Sequence, residues 1–228
     1  MGLQDSLNAI EQDVTDFFFP RRCPFCGKLT GKALLCPACE KTLPFTGEQA
    51  VHHTTFARCA APLYYEDRVR RAVLRFKFHR KLGGLNCFGE MMARCAAEWY
   101  AGAFDAVTWV PVSAKRRRKR GYDQSQLLAA SLCVDWHVTP VETLRKTADN
   151  PPQSATGESA ARRANVAGVY EADPSVVAGR RWLLVDDIFT TGATMAECVH
   201  TLRLAGAADV VCLTLAVVRN RENRFPGE

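Results

Sequence analysis

The chain has 228 residues, of which 47% are hydrophobic, and a formal net charge of +6. This length and composition suffice for one globular domain with a small second unit, and the positive charge suits anionic ligands such as phosphates or nucleic acid. No apolar run reaches the length of a membrane-spanning helix, and Asp5, Glu11, Asp13 and Asp16 argue against a secretory signal. We therefore expect a cytoplasmic protein without stable membrane insertion.

The N-terminal segment is predicted to form a short amphipathic helix. Apolar side chains recur at helical spacing from Leu3 to Phe18, with mostly polar residues between them. We expect the apolar face to pack on the rest of the protein. Docking of Phe17, Phe18 and Phe19 to a partner or a membrane surface is the alternative.

Two C-P-x-C knuckles follow this helix, nine residues apart, and their thiols are Cys23, Cys26, Cys36 and Cys39. Each knuckle directs two thiolates at one metal, and two knuckles complete a tetrahedral shell with no position left for substrate. This pattern predicts a structural Zn²⁺. Disulfides are disfavoured by a reducing cytoplasm, and a redox motif would not require two copies. The helix and this zinc ribbon together define a predicted N-terminal unit, residues 1–46.

Residues 47–228 are predicted to form an α/β domain with a parallel sheet, in which strands and helices alternate. The region Thr42–Thr55 has the composition of a linker. In chain order we expect extended chain at 56–65, helices at 67–78 and 85–100, a strand at 106–112, a helix at 124–133, a strand at 182–185, a helix from about Thr194 and a strand at 209–218.

The most specific motif follows the strand Trp182–Val185, where two acids, Asp186 and Asp187, precede a Thr/Gly loop. Ligands of open α/β sheets bind at the carboxyl ends of the strands. Hydroxyls, a glycine and the free amides of a helix start form a cradle for a phosphate, and the acids can accept hydrogen bonds from ribose or help to hold Mg²⁺. The predicted cradle consists of Thr190, Thr191, Gly192, Ala193 and Thr194. An ordinary Asp-rich turn with a capped helix is the alternative.

A run of six cations, Lys115–Arg120, lies between a predicted strand and a predicted helix and is closed by Gly121. As a loop at the carboxyl end of a neighbouring strand it would face the same crevice as Asp186. Cations in that place suit a second anionic group of the ligand. A solvated surface loop or a nucleic-acid patch is the alternative.

The run Val185–Thr194 resembles the phosphoribosyl pyrophosphate (PRPP) motif of type I phosphoribosyltransferases. With the knuckles, Phe76-Lys77-Phe78, the stretch Arg120–Gln124 and the stretch Arg162–Asn165, the chain resembles the ComF family over nearly its whole length. The resemblance implies a type I phosphoribosyltransferase-like core behind a zinc ribbon, with bound Mg²⁺ and PRPP. It implies substrate-binding roles for Lys77, Arg120, Gln124, Arg162 and Asn165, with Lys77 and Arg120 near pyrophosphate. Asp123 stands where the family usually has Asn, and we expect it to cap the following helix.

Two functions are compatible with this pattern. The first is a phosphoribosyltransferase of unknown acceptor, linked to DNA uptake, with Asp186 and Asp187 as catalytic residues. The second is a non-catalytic protein that binds single-stranded DNA or nucleotides in the same cleft and on the basic run during transformation. The implied partners are PRPP or a nucleotide, single-stranded DNA and proteins of the competence machinery. No segment reads as a hood for recognising a base, and no second metal site is expected at His52, His53 and Cys59.

Overall fold

The computed structural model describes residues 21–78, 82–147 and 168–219. The predicted amphipathic helix and the residues Arg162 and Asn165 lie outside these ranges. Within them, no helix is long and apolar enough to cross a membrane.

Strands and helices are interspersed along the described residues from 51 onward. In chain order the strands are β1 (Val51–His53), β2 (Arg58–Ala60), β3 (Leu63–Tyr64), β4 (Ala106–Trp109), β5 (Leu144–Lys146), β6 (Tyr170–Ala172), β7 (Arg181–Phe189) and β8 (Asp209–Val217). The helices are α1 (Pro37–Thr42), α2 (Asp67–Phe78), α3 (Leu85–Trp99), α4 (Ala114–Arg120), α5 (Gln124–Leu132), α6 (Pro174–Val177) and α7 (Ala193–Leu204), with 3-10 turns at Gly47–Gln49 and Leu82–Gly84.

The main sheet of the described residues has the order β1-β2-β8-β7-β4, and β3 pairs with β8 beyond the end of β2. All its pairings are parallel except that of β1 with β2. Strands β5 and β6 form a separate antiparallel pair. The predicted α/β architecture with a mainly parallel sheet is therefore confirmed.

Helices cover both faces of the sheet, because β7 and β8 are apolar on both sides, as strands of parallel sheets usually are. Leu183 and Val185 of β7 belong to a core cluster with Phe76 of α2 and Leu128 of α5. On the opposite face of the sheet, Leu184 belongs to a second core cluster, which includes the buried apolar residues of α7. The knuckle residue Phe25 is 3% exposed and belongs to the first cluster, so the ribbon shares the core of the main domain.

Strand β7 is longer than the sequence predicts. The apolar run stops at Val185, but the strand continues through both acids because β8 remains paired with it, with Asp186 opposite Thr214 and Phe189 opposite Val217. The acids therefore lie within the strand and not after it. Strand β4 is shorter than predicted, since it ends at Trp109.

The basic run is a helix and not a loop. Lys and Arg are good helix formers, and cations in a last turn interact favourably with the helix dipole. The Ser113 hydroxyl caps α4 by accepting a hydrogen bond from Arg116 N at 3.3 Å. Gly121 ends it with a φ of 86°, and its amide donates to Arg117 O at 2.7 Å. Such a left-handed position at a helix end favours glycine.

The predicted linker Thr42–Thr55 contains a strand. Residues Val51–His53 form β1 and pair with β2, where Val51 lies opposite Ala60. The edge of the sheet thus begins within the segment that composition assigned to a linker, because Pro44 and Gly47 are local turn signals that do not report tertiary pairing. The unit boundary between residues 46 and 47 stays a prediction.

Candidate functional site

The ends of β4 and β7 bring the predicted site residues together. These strands run parallel, with Trp109 opposite Val185, so the segments that follow them leave from the same edge of the sheet. α4 and α5 follow β4, and the Thr/Gly loop and α7 follow β7. The last turn of α2 supplies a further side chain to the same edge.

Asp187 is paired with Lys77. The Lys77 Nζ lies 2.9 Å from Asp187 Oδ2, and the two side chains are 19% and 5% exposed. The Asp187 Oδ2 atom is buried and, apart from this ion pair, has no hydrogen-bond donor among the described residues. Buried carboxylate oxygens usually have such a donor. This oxygen therefore keeps acceptor capacity for a hydroxyl or a cation.

Asp186 is held by Ser125, a residue that the sequence analysis did not single out. The Ser125 hydroxyl donates to Asp186 Oδ1 at 2.7 Å, and the backbone amide of Asp187 donates to the same oxygen at 2.8 Å. Ser125 is fully buried in the first turn of α5. The sequence signal for Ser125 was its position directly after Arg120–Gln124, one of the stretches that carry the family resemblance.

The pKa of Asp186 lies well above its usual value. The main cause is burial, which disfavours the charged carboxylate, and the negative charge of Asp187 adds to it. The Ser125 hydrogen bond and the Lys77 charge act in the opposite direction. Asp186 and Asp187 are successive residues of β7, so their side chains leave the strand on opposite faces.

The Thr/Gly loop exposes two hydroxyl side chains at the start of α7. Thr190 and Thr191 are exposed, and Gly192 is the N-terminal cap residue of α7, with a φ of 75° and no side-chain cap hydrogen bond. A Cβ on Gly192 would lie 2.9 Å from the Phe189 ring, so only glycine fits. The first amides of this twelve-residue helix have no intrahelical acceptors and suit an anion. Ala193 and Thr194, the other predicted members, form its first turn.

Arg120 and Gln124, both predicted to bind substrate, contact each other. Arg120 Nη1 donates to Gln124 Oε1 at 2.7 Å, and its guanidinium lies 5.1 Å from the centre of the Phe78 ring. Gln124 is 5% exposed. Between them, the Tyr122 hydroxyl donates to the Phe76 carbonyl oxygen. Arg120 is thus fixed beside the last turn of α2, which also carries Lys77. A contact of Lys77 and Arg120 with pyrophosphate stays a prediction.

Asp123 caps α5, as expected. Its Oδ1 accepts hydrogen bonds from Ser125 N at 3.0 Å and Gln126 N at 3.2 Å, and its Oδ2 accepts one from Val112 N at 2.8 Å. Burial nevertheless raises the pKa of this carboxyl above its usual value. The acid joins the segment after β4 to the start of α5 and is 4% exposed.

The α4 helix carries a strongly basic surface. Five of its cations, Lys115, Arg116, Arg117, Arg118 and Lys119, are exposed, and only Arg120 is partly covered. The helix starts five residues after β4 ends and so lies beside the carboxyl edge. This surface is accessible to a polyanion as well as to a small anionic ligand.

The four knuckle cysteines converge on one point. The sulfurs of Cys23, Cys26, Cys36 and Cys39 all lie within 4.8 Å of one another, and no other metal-ligating cluster of this kind occurs among the described residues. Four thiolates at this spacing fit a tetrahedral Zn²⁺. None of the ten cysteines forms a disulfide. Arg68 Nη1 lies 3.8 Å from Cys39 Sγ, so a cation from α2 faces the thiolate cluster.

Comparison with protein-family models supports both parts of this architecture. The double zinc ribbon domain matches residues 14–72, and the phosphoribosyl transferase domain matches residues 119–226. The predicted type I phosphoribosyltransferase-like core with an N-terminal zinc ribbon is thereby confirmed. One four-cysteine cluster is present in the described part of the chain, although the matched model is a double ribbon.

Two curated relatives match most of the chain. Competence protein ComFC of Bacillus subtilis (strain 168) is 26% identical over 195 residues, covering 85% of this chain and 76% of that protein. DNA utilization protein YhgH of Escherichia coli (strain K12) is 30% identical over 203 residues, covering 85% of this chain and 84% of that protein.

Two solved structures match parts of the chain at low TM-scores. Glutamine PRPP amidotransferase from B. subtilis aligns with 61% of this chain at 24% identity and a TM-score of 0.41, and the aligned part is 30% of that longer protein. A phosphoribosyltransferase from Corynebacterium diphtheriae aligns with 73% of this chain and 75% of its own at 23% identity and a TM-score of 0.33.

Proposed function

Since the chain belongs to the ComF family, with ComFC and YhgH as relatives, we propose that it binds PRPP with Mg²⁺ and transfers the phosphoribosyl group to an acceptor in a process linked to DNA uptake. The observation that carries this proposal is the meeting of Lys77, Asp186 and Asp187 beside the open Thr/Gly cradle. A cytoplasmic location is part of the proposal.

Each group at the edge has a distinct role in ligand binding. The cradle holds the 5′-phosphate through the hydroxyls of Thr190 and Thr191 and the first amides of α7. The ribose hydroxyls donate hydrogen bonds to Asp187 Oδ2, which has no such donor among the described residues, and to the carboxylate of Asp186. Ser125 keeps Asp186 in the orientation that this requires.

In the transfer step, negative charge accumulates on the leaving pyrophosphate. The bond between ribose C1 and the pyrophosphate oxygen breaks, its electron pair departs with pyrophosphate, and a lone pair of the acceptor forms the new bond to C1. Lys77 in the last turn of α2 and Arg120 beside that turn offset the growing negative charge. A bound Mg²⁺ would neutralise part of the same charge, and the paired acids are the residues suited to hold it. The zinc ribbon would contribute stability.

The basic α4 surface favours a second candidate function. Single-stranded DNA could lie along its five exposed cations and place a phosphate in the same cradle without any transfer. Both candidate functions are compatible with partners from the competence machinery. The two versions differ in ligand chemistry, because only the first requires the pyrophosphate group of PRPP.

A thermal-shift titration tests the first version. PRPP with Mg²⁺ should raise the melting temperature in a concentration-dependent way, since a ligand that binds only the folded state stabilises it. Equal concentrations of ribose 5-phosphate and of pyrophosphate serve as fragments. Stabilisation by PRPP no larger than by either fragment would contradict a site that recognises the whole molecule.

A further inference from the structure

The first zinc knuckle is anchored on helices α2 and α3. Arg75 of α2 donates to the Pro24 carbonyl oxygen at 2.7 Å. Pro24 rests on Gly84 at the start of α3, where an added Cβ would lie 2.5 Å from the proline Cβ. Both Pro24 and Phe25 lie between the two zinc-binding cysteines of this knuckle. The metal-binding turn and the two helices are therefore in direct contact.

A continuous row of aromatic rings extends from this knuckle to the candidate site. Phe25 packs edge-on against Phe88 of α3 with ring centres 5.8 Å apart, and Phe88 packs in the same way against Phe76 of α2 at 5.8 Å. Phe76 is followed by Tyr122 at 6.0 Å. Phe25, Phe76 and Phe88 are at most 3% exposed, so the row lies in the close-packed core.

The far end of this row carries the cations of the site. Phe76 is the immediate neighbour of Lys77, which pairs with Asp187. Tyr122 donates its hydroxyl hydrogen to the Phe76 carbonyl oxygen and lies two residues after Arg120. A shift of α2 would therefore move Lys77 directly and would move Arg120 through Tyr122.

We propose that Phe25 and Arg75 are positioning residues through which the zinc ribbon places Lys77 and Arg120 for ligand binding. The zinc-bound knuckle acts as a fixed support for α2, and the aromatic row transmits its position to the ligand edge. Close-packed side chains transmit displacement because they leave no free volume to absorb it. The identity of the ligand in this inference rests on the proposed function. The coupling between the zinc ribbon and the two cations does not depend on it.

Amide hydrogen exchange in the ligand-free, zinc-loaded protein tests the coupling. Phe25→Ala should accelerate exchange about threefold or more in the last turn of α2 and around Tyr122, because local opening there becomes easier. Peptides from β8 serve as an internal reference, and Leu29→Ala, an exposed ribbon residue, is the matched control. Accelerated exchange confined to residues 21–45 would overturn the inference.

Arg75→Ala provides a second variant that leaves the knuckle side chains intact. It removes the contact with the Pro24 carbonyl oxygen and should accelerate exchange at the same two places, while Arg71→Ala, on the exposed side of α2, should not. If Phe25→Ala fails to retain zinc, the comparison of Arg75→Ala with Arg71→Ala tests the coupling instead. Identical exchange in the Arg75 and Arg71 variants would overturn the inference.

PRPP affinity is the second readout. At equal zinc content, Phe25→Ala and Arg75→Ala should bind about tenfold more weakly than the wild type, because small displacements of binding groups are costly. Wild-type affinity in both variants would overturn the proposed coupling to the ligand. A wild-type protein that fails to bind PRPP would contradict the proposed function instead, and the exchange experiment would still decide the coupling.

Discussion

Lys77 and Asp187 form an ion pair of 2.9 Å between the last turn of α2 and β7, with side chains 19% and 5% exposed. In the ligand-free protein the lysine thus compensates a buried carboxylate. A phosphate ligand would compete for the same ammonium group, and a ribose hydroxyl or a cation would then take over part of the compensation at Asp187.

Removing the lysine should leave an uncompensated buried charge. We expect Lys77→Met to lower the free energy of unfolding by about 3 kcal/mol, because breaking a buried pair on one side is more costly than removing both partners. Lys77→Met combined with Asp187→Asn should recover part of this loss. Urea denaturation at pH 7 measures both, with the exposed Arg70→Met as control. Equal stability of the Lys77 and Arg70 variants would contradict a stabilising pair.

The raised pKa of Asp186 should appear in the pH dependence of stability. Burial and Asp187 raise this pKa to about 7, whereas the unfolded value is near 3.8. Between these values the folded state binds more protons than the unfolded state, so this group makes the protein less stable as pH rises through that window. Asp186→Asn removes the group and keeps an oxygen that can accept the Ser125 hydrogen bond.

Melting temperatures measured from pH 4 to pH 8 check this expectation. The difference between Asp186→Asn and wild type should grow in favour of the variant as pH rises, and level off above the folded-state pKa. Titrating groups that do not interact with Asp186 cancel in that difference. A difference independent of pH would show that the carboxyl titrates normally.

Gly192 is predicted to be intolerant of any side chain. Gly192→Ala combines the left-handed φ of 75° with a contact of 2.9 Å to the Phe189 ring. Gly179→Ala is a matched control, because its φ is 76° and nothing lies within 4 Å of the added Cβ. The control should lose about 1 kcal/mol of stability from backbone strain alone. The Gly192 variant should lose more and also lose affinity for phosphate-containing ligands; equal losses in urea denaturation would contradict the close packing.

Much of the fold and site follows from sequence patterns. Helix α2 was predicted with its observed limits, because Val69, Val73 and Phe76 recur at helical spacing. The knuckle cysteines and the acid pair follow from short motifs with a definite chemical purpose. Such features are local, and local chemistry can be read from one chain.

The features that were missed depend on tertiary contacts. The continuation of β7 through Asp186 is set by its pairing with β8, and the strand within Thr42–Thr55 is set by its pairing with β2. The role of Ser125 depends on a contact across 61 positions of the chain. No local pattern encodes these partners. The helical form of α4 could have been predicted from local sequence, because the residues that cap it, Ser113 and Gly121, flank the basic run directly.

The cysteine cluster should hold one zinc ion per chain. Metal analysis of the purified protein should give that ratio, and Cys36→Ser should lower the zinc content and the melting temperature together, because structural zinc contributes directly to folding. Cys133→Ser, a buried cysteine outside the cluster, is the control and should keep its zinc. A wild-type zinc content well below one per chain would refute the assignment.

The α4 surface should decide the DNA-binding alternative. If single-stranded DNA binds there, the triple variant Arg116→Ala/Arg117→Ala/Arg118→Ala should bind it much more weakly and with a shallower dependence on salt, since three phosphate contacts are lost. Gel shifts over a salt series measure both quantities. The exposed arginines of α2, Arg70 and Arg71, provide a control double substitution to Ala. Unchanged affinity in the triple variant would exclude a nucleic-acid role for α4.

Calorimetric titration with PRPP, with and without Mg²⁺, tests the central proposal most directly. The wild type should bind PRPP, and bind it more tightly with Mg²⁺, whereas Asp186→Asn/Asp187→Asn should lose most of the affinity and the effect of Mg²⁺ because both carboxylates face the ligand edge. The absence of any binding by the zinc-loaded wild type would contradict a PRPP site at the carboxyl edge of this sheet.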